Sequence, residues 1–179
     1  MQYRRDYTPG ASYFFTLVTF QRRPLFDQAD NVARLRKAFS DEMVRRPFHI
    51  DAIVILPDHI HAIWTLPDDD ADYSIRWRNI KRAFTLAIPH QQRPEVVGSR
   101  QRKQEQAIWQ RRFWEHRLRD EDDFNRHVDY IHYNPVKHGK VSLPVEWQES
   151  SIHRYIRNEV LSADWGGSPI SIFDDTEYE

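Results

Sequence analysis

HIDAIVILPDHIHAIWTL, residues 49–66, decides the architecture. Two runs rich in Ile, Val and Trp flank Pro57-Asp58, a turn pair. The connection is too short for a crossover, so strands over 49–56 and 59–66 pair antiparallel. Strand side chains alternate between faces, so His59 and His61 point to one side and Ile60 to the other. Two imidazoles placed this way suit one divalent metal ion. The spacing alone fits at least as well two ordinary strand histidines, half-buried or facing solvent.

Working outward, YFFTLVTF at 13–20 is aromatic and β-branched and predicts another strand. Between it and the hairpin, 29–46 predicts a helix. Asp30 or Asn31 can cap it, and Val32, Leu35, Phe39 and Met43 recur at helical spacing. After an acidic loop at 67–72, residues 73–88 predict a second helix with Trp77, Ile80, Phe84 and Ile88 in its apolar stripe. Arg78, Lys81 and Arg82 share another face, and Pro89 ends the helix. The stretch 90–106 reads as a flexible, basic loop, followed by a strand around 112–116. A third helix over 120–133 has an acidic start suited to the helix dipole and a core face of Phe124, Val128 and Ile131; Pro135 and Gly139 stop it. The order predicts an α+β, ferredoxin-like antiparallel sheet with helices on one face. One domain spans 1–158, and 159–179 is an acidic tail. The tail reads either as disordered or as folding back, through Trp165, over a basic site.

The chain has 179 residues, enough for one real core, with 40% hydrophobic and 30% charged residues. It lacks cysteine, which excludes a disulfide scaffold and a cysteine zinc site and is compatible with the cytoplasm. No apolar run approaches the ~20 residues of a membrane helix, and the first ten residues do not form a signal peptide. The net charge of -1 hides a division. Residues 74–119 hold twelve Lys and Arg against three Asp and Glu, and the excess of acid lies elsewhere. A basic middle is the expected footprint of a phosphate-binding surface, as it is of a solvated basic region.

Tyr130 and Asn134 lie four apart and share a helical face. Asn134 precedes Pro135 and is expected at the helix end, where its amide oxygen could join two imidazoles as a hard ligand; His127 and His132 compete for that role. The alternative is a buried aromatic and a capping amide.

His59-Ile60-His61 forms an HUH motif, two histidines around a hydrophobic residue. With YIHYNPVKHG at 130–139, YRRDY at 3–7, LPDHIHAIWTLP at 56–67, FWEHRLRDEDDF at 113–124 and WQESSIHR at 147–154, the sequence closely resembles the REP-associated tyrosine transposases. These are relatives of the single-tyrosine HUH transposases of small insertion sequences. The resemblance implies the HUH endonuclease fold and Mg2+ or Mn2+ on His59 and His61, with Asn134 in the place of the third ligand. It implies Tyr130 as the nucleophile that forms a 5′-phosphotyrosine, and as substrate a single-stranded DNA bearing REP-like hairpins. On this reading Arg78, Lys81, Arg82 and the basic loop contact phosphates, and Arg4 and Arg5 reach the hairpin or its foot. Lys137 and His138 are candidates for proton transfer or phosphate contact, and the chain acts as a monomer. Two rival readings are a REP-hairpin binding protein that does not cut, and a metal hydrolase in which Tyr130 is dispensable.

Overall fold

The computed structural model describes residues 6–96, 98–102 and 106–167. The expectations for Arg4, Arg5 and the end of the tail fall outside these residues. The elements are β1 (Ser12–Val18), α1 (Ala29–Arg45), β2 (His49–Ile55), β3 (His59–Thr65), α2 (Tyr73–Ala87), α3 (Ser99–Arg102), β4 (Trp114–Arg117), α4 (Glu121–Lys137) and α5 (Ile152–Arg157). The strands form one antiparallel sheet in the order β2-β3-β1-β4, the ferredoxin-like arrangement expected.

Alternation divides the side chains of the central strands between two layers. Tyr13, Phe15 and Leu17 of β1, with Ile60, Ala62 and Trp64 of β3, face α1 and α2. The α1 stripe of Val32, Leu35 and Phe39 and the α2 stripe of Trp77, Ile80 and Phe84 close over them. The Trp64 and Trp77 rings stack with centroids 4.0 Å apart. These two helices share one face, but the expectation of helices on one face alone is corrected, because the hydrophobic stripe of α4 packs on the alternate side chains of the same strands. The long α4 lies on the other face, where Val128, Tyr130 and Ile131 pack on Phe14, Ala52, Val54 and Ile63.

Local chemistry sets the boundaries. Asp72 caps α2 by accepting from the Ile75 amide, and Asp120 caps α4 by accepting from the Asp123 amide. Helix α1 begins differently from the reading above: its N-cap is Gln28, without a side-chain cap bond. Asn31 instead donates to the Leu25 carbonyl and Asp30 reaches Arg34, so both polar side chains serve the first turn from inside. Arg76 is buried and distributes its guanidinium over Asp70 (2.7 Å), the Asp72 carbonyl and the Pro47 carbonyl. The outer edge of β2 is covered by 149–151: the Ile55 amide donates to the Glu149 carbonyl and the Ser151 amide to that of Ile53. Past α5, Trp165 approaches His132 on α4 with ring centroids 6.2 Å apart. No helix among the described residues is long and apolar enough to cross a membrane.

Candidate active site

The histidine pair is built by strand register. Thr16 on β1 lies directly across from His61, and its Oγ1 sits 2.9 Å from His61 Nδ1. Asp58 ends the hairpin turn just before His59, and its Oδ1 lies 2.6 Å from His59 Nδ1. The turn is held in turn: the Thr19 amide and Oγ1 both donate to the Asp58 carbonyl, and Arg22 pairs with the Asp58 carboxylate at 3.2 Å. Partial burial pushes the Asp58 carboxyl up, but its bond to His59 and the Arg22 guanidinium bring it down to about 2. As a carboxylate it accepts from His59 Nδ1, which leaves Nε2 as the ring nitrogen turned to the site. This carboxylate–imidazole arrangement orients metal-binding histidines. The His59 and His61 rings stand 4.9 Å apart, and neither Nε2 atom has a hydrogen-bond partner among the described residues. Burial, reinforced by the charges His59, His138 and Lys137 could carry, holds His61 well below the usual histidine range, so it is neutral.

Helix α4 supplies the opposing wall. Tyr130 lies edge-on to His61 with centroids 5.2 Å apart, and two turns on His138 lies edge-on to His59 at 5.1 Å. Asn134 occupies the turn between them on the same stripe. Its amide is buried and neither amide atom finds a partner among the described residues. The stripe thus brings Tyr130, Asn134 and His138 against His59 and His61. The ammonium of Lys137 stands 4.9 Å over the Tyr130 ring. Buried polar atoms are nearly always satisfied in folded proteins, so two imidazole nitrogens and an amide left without partners among the described residues fit a bound ligand. The donor set of two imidazoles and an amide oxygen fits a divalent metal ion.

One expectation is corrected in detail. Asn134 does not mark the helix end. The helix continues through Asn134 and Pro135 to Lys137, and the Gly139 and Lys140 amides close it onto Val136 and Pro135. The two histidines that competed for the third place face elsewhere: His127 turns to Asp123 and His116, and His132 to Ser151. Sequence reading missed the orienting roles of Asp58 and Thr16. Asp58 precedes His59 directly and was open to inspection; Thr16 required the register.

The basic residues of α2 line two adjoining grooves. Exposed Arg78 and Arg111 flank one of them, with Tyr7 at its rim stacked on Tyr73 at 5.1 Å. Arg82, Arg100 and Trp109 line the other, and Lys81 borders both. Lys81 donates to the Gln110 carbonyl, while the Gln110 amide donates to Val18, the strand partner of His59. The grooves therefore reach the same end of the sheet as the histidine pair. Part of the expected flexible loop is structured here: Arg100 lies 4.0 Å over the Phe20 ring and donates to the Gln106 and Trp109 carbonyls.

No family model matches the chain. A curated relative from Haemophilus influenzae, provisionally assigned as a REP-associated tyrosine transposase, is 45% identical over 167 residues, 93% of this chain and 94% of its own. The REP-associated tyrosine transposase of Escherichia coli strain K12 is 41% identical over 166 residues, 93% and 91% of the two chains. A solved structure of a REP-associated tyrosine transposase bound to a REP hairpin matches with a TM-score of 0.79 at 39% identity, covering 96% of each chain.

Proposed function

The chain belongs to the REP-associated tyrosine transposases, and on that basis we propose that it cuts and rejoins single-stranded DNA at REP-like hairpins through a covalent bond between Tyr130 and a 5′-phosphate. His59, His61 and Asn134 would hold Mg2+ or Mn2+. The observation that carries this reading is the convergence of the two buried imidazole Nε2 atoms and the Asn134 amide, all lacking partners among the described residues, on the wall that presents Tyr130.

When bound, the metal ion supplies Lewis-acid stabilisation of charge on the phosphate oxygens. The chain's own residues do the rest. Tyr130 is fixed between Phe14 and His61, so its hydroxyl approaches a phosphate seated at the histidines without rotamer search. A free tyrosine hydroxyl has a pKa near ~10 and is a weak nucleophile. The Lys137 ammonium over the ring would offset the phosphate's charge. Oη forms a bond to phosphorus, the bond from phosphorus to the 3′ oxygen breaks, and that oxygen leaves as a 3′-hydroxyl. A second 3′-hydroxyl reverses the step, because the phosphotyrosine conserves the phosphodiester. The grooves along α2 offer Arg78, Lys81, Arg82 and Arg111 to the DNA backbone and the exposed face of Tyr7 to an unpaired base. Our reading places the protein in the cytoplasm, acting as a monomer.

Covalent capture tests this. The protein is incubated with labelled hairpin oligonucleotides and Mg2+ or Mn2+ and run on a denaturing gel. A labelled band is expected that disappears in Tyr130→Phe and in His59→Ala. Binding without an adduct or a cut strand would point to the non-cleaving protein. Cut DNA surviving Tyr130→Phe would point to a metal hydrolase.

A further inference from the structure

A second cluster of metal-ligating side chains stands apart from the histidine pair of β3. Strand β4 contributes His116, and the first two turns of α4 contribute Asp123 and His127. His116 Nε2 lies 2.9 Å from Asp123 Oδ2, and His127 Nδ1 lies 3.3 Å from Asp123 Oδ1. The imidazoles face one another with centroids 5.1 Å apart, nearly parallel at 22°. All three donor atoms lie within 4.8 Å of one another. The cleavage chemistry above uses none of them.

We propose that His116, Asp123 and His127 form a second metal site, for a borderline transition-metal ion such as Zn2+. Ligand atoms bonded at about 2.0–2.2 Å to one tetrahedral ion stand roughly 3.4 Å apart, so the Asp123 separations need adjustments of only a few tenths of an ångström. Two imidazoles and a carboxylate suit Zn2+, whereas Mg2+ favours oxygen ligands and keeps several waters. The set also has the form of a site with one position left open: three protein ligands, with His116 partly exposed and the other two buried.

The surroundings hold the ligands in place. The Arg119 amide donates to Asp123 Oδ2, fixing the carboxylate. Trp114 stacks beside His116 and Phe14 packs on His127, giving the site apolar walls. Burial holds His127 below the usual histidine range, and a neutral imidazole is the form that ligates. Its Nδ1 lies 2.8 Å from the Asp123 carbonyl, so ligation through that atom moves the ring proton to Nε2. Arg119 and Arg126 approach the carboxylate from the exposed side at 3.6 and 3.5 Å, and there they would favour an anion, such as a DNA phosphate, in the open position. An ion here would staple β4 to α4. Phe14 touches His127, His61 and Tyr130, so the staple would bear on the helix that presents the nucleophile.

The test uses the full chain carrying His59→Ala and His61→Ala, so that the β3 pair cannot contribute. Zn2+ is measured by equilibrium dialysis and elemental analysis in excess Mg2+, and Co2+ by its visible absorption. One ion per chain is expected to remain. It should be lost in Asp123→Asn and weakened at least about tenfold in His116→Gln, which alters β4 and leaves α4 intact. Circular dichroism of each variant confirms folding. The proposal is overturned if the doubly substituted chain binds neither ion, or if binding persists unchanged through Asp123→Asn and His116→Gln. Because the readout is metal content in a chain lacking the cleavage histidines, either result leaves the cleavage reading to its own test.

Discussion

The two faces of the sheet come from the same strands and follow opposite rules. On the face of α1 and α2, β1 and β3 present Tyr13, Phe15, Leu17, Ile60, Ala62 and Trp64, and the layer is apolar and aromatic. On the α4 face, the alternate residues of the same strands include Thr16, His59 and His61, and α4 answers with His127, His132 and Asn134, all buried. The first face holds stability. The second gives some up, because buried polar atoms without partners cost free energy. One strand carries both because side-chain alternation keeps their requirements independent. The His-x-His spacing puts two imidazoles on one side of a strand and a core residue on the other.

The sharpest way to break this contrast is to empty the apolar face. Trp77→Ala removes a fully buried ring stacked on Trp64 and edge-on to Phe15 and Phe39. It should cost about 3–5 kcal/mol, read by urea denaturation. A loss under about 1 kcal/mol would show that the aromatic layer is not where the stability lies.

The next effect belongs to the histidine face and is read by pH. Burial, with help from Arg154 and His153, holds His132 down to about 3, and burial holds His61 well below its ordinary value. The unfolded chain takes up protons below about 6.5, where the folded chain refuses them. Stability is therefore complete above that pH and falls as pH drops from about 6.5 toward about 3. His132 alone contributes roughly 1.4 kcal/mol per pH unit in that window, and His61 adds in the same direction. Denaturation at pH 7.5, 6 and 5 with a chelator should show the decline, and His132→Gln should make it shallower by one proton. Equal slopes in the two proteins would remove His132 from the account.

How much of this was legible in the sequence differs between the faces. The apolar face was readable almost throughout, since the stripes of α1 and α2 and the alternation of β3 depend on local period alone. The pairing of His59 with His61 was readable for the same reason. The opposing wall was only partly so. Asn134-Pro135 reads locally as a helix end, yet both residues are buried within α4. Proline in the last turn forfeits one helix hydrogen bond, to the carbonyl of Ile131, and tertiary packing outweighs that loss and the conformational bias of the preceding residue. His138 therefore continues the stripe of Tyr130 and Asn134 to meet His59, which a helix ending at 133 could not show. The His116–Asp123 bond joins a strand to a helix across a turn, and no periodicity announces it.

The smallest expected effect separates the two rules most cleanly. His61→Leu replaces a buried imidazole, whose Nε2 has no partner among the described residues, by an apolar side chain beside Phe14. The substitution strands the buried Thr16 hydroxyl, at a cost of about 1–3 kcal/mol, and relieves a desolvated nitrogen costing about 1–3 kcal/mol. The two nearly cancel, so at pH 7.5 without metal the variant should lie within about 1 kcal/mol of the parent in stability, while forming no covalent adduct with hairpin DNA. Stability kept as cleavage disappears is what a functional face predicts. Should the variant instead lose several kcal/mol, as the tryptophan variant is expected to, His61 would be a structural residue of that layer, and the division between the faces would fail at its most informative position.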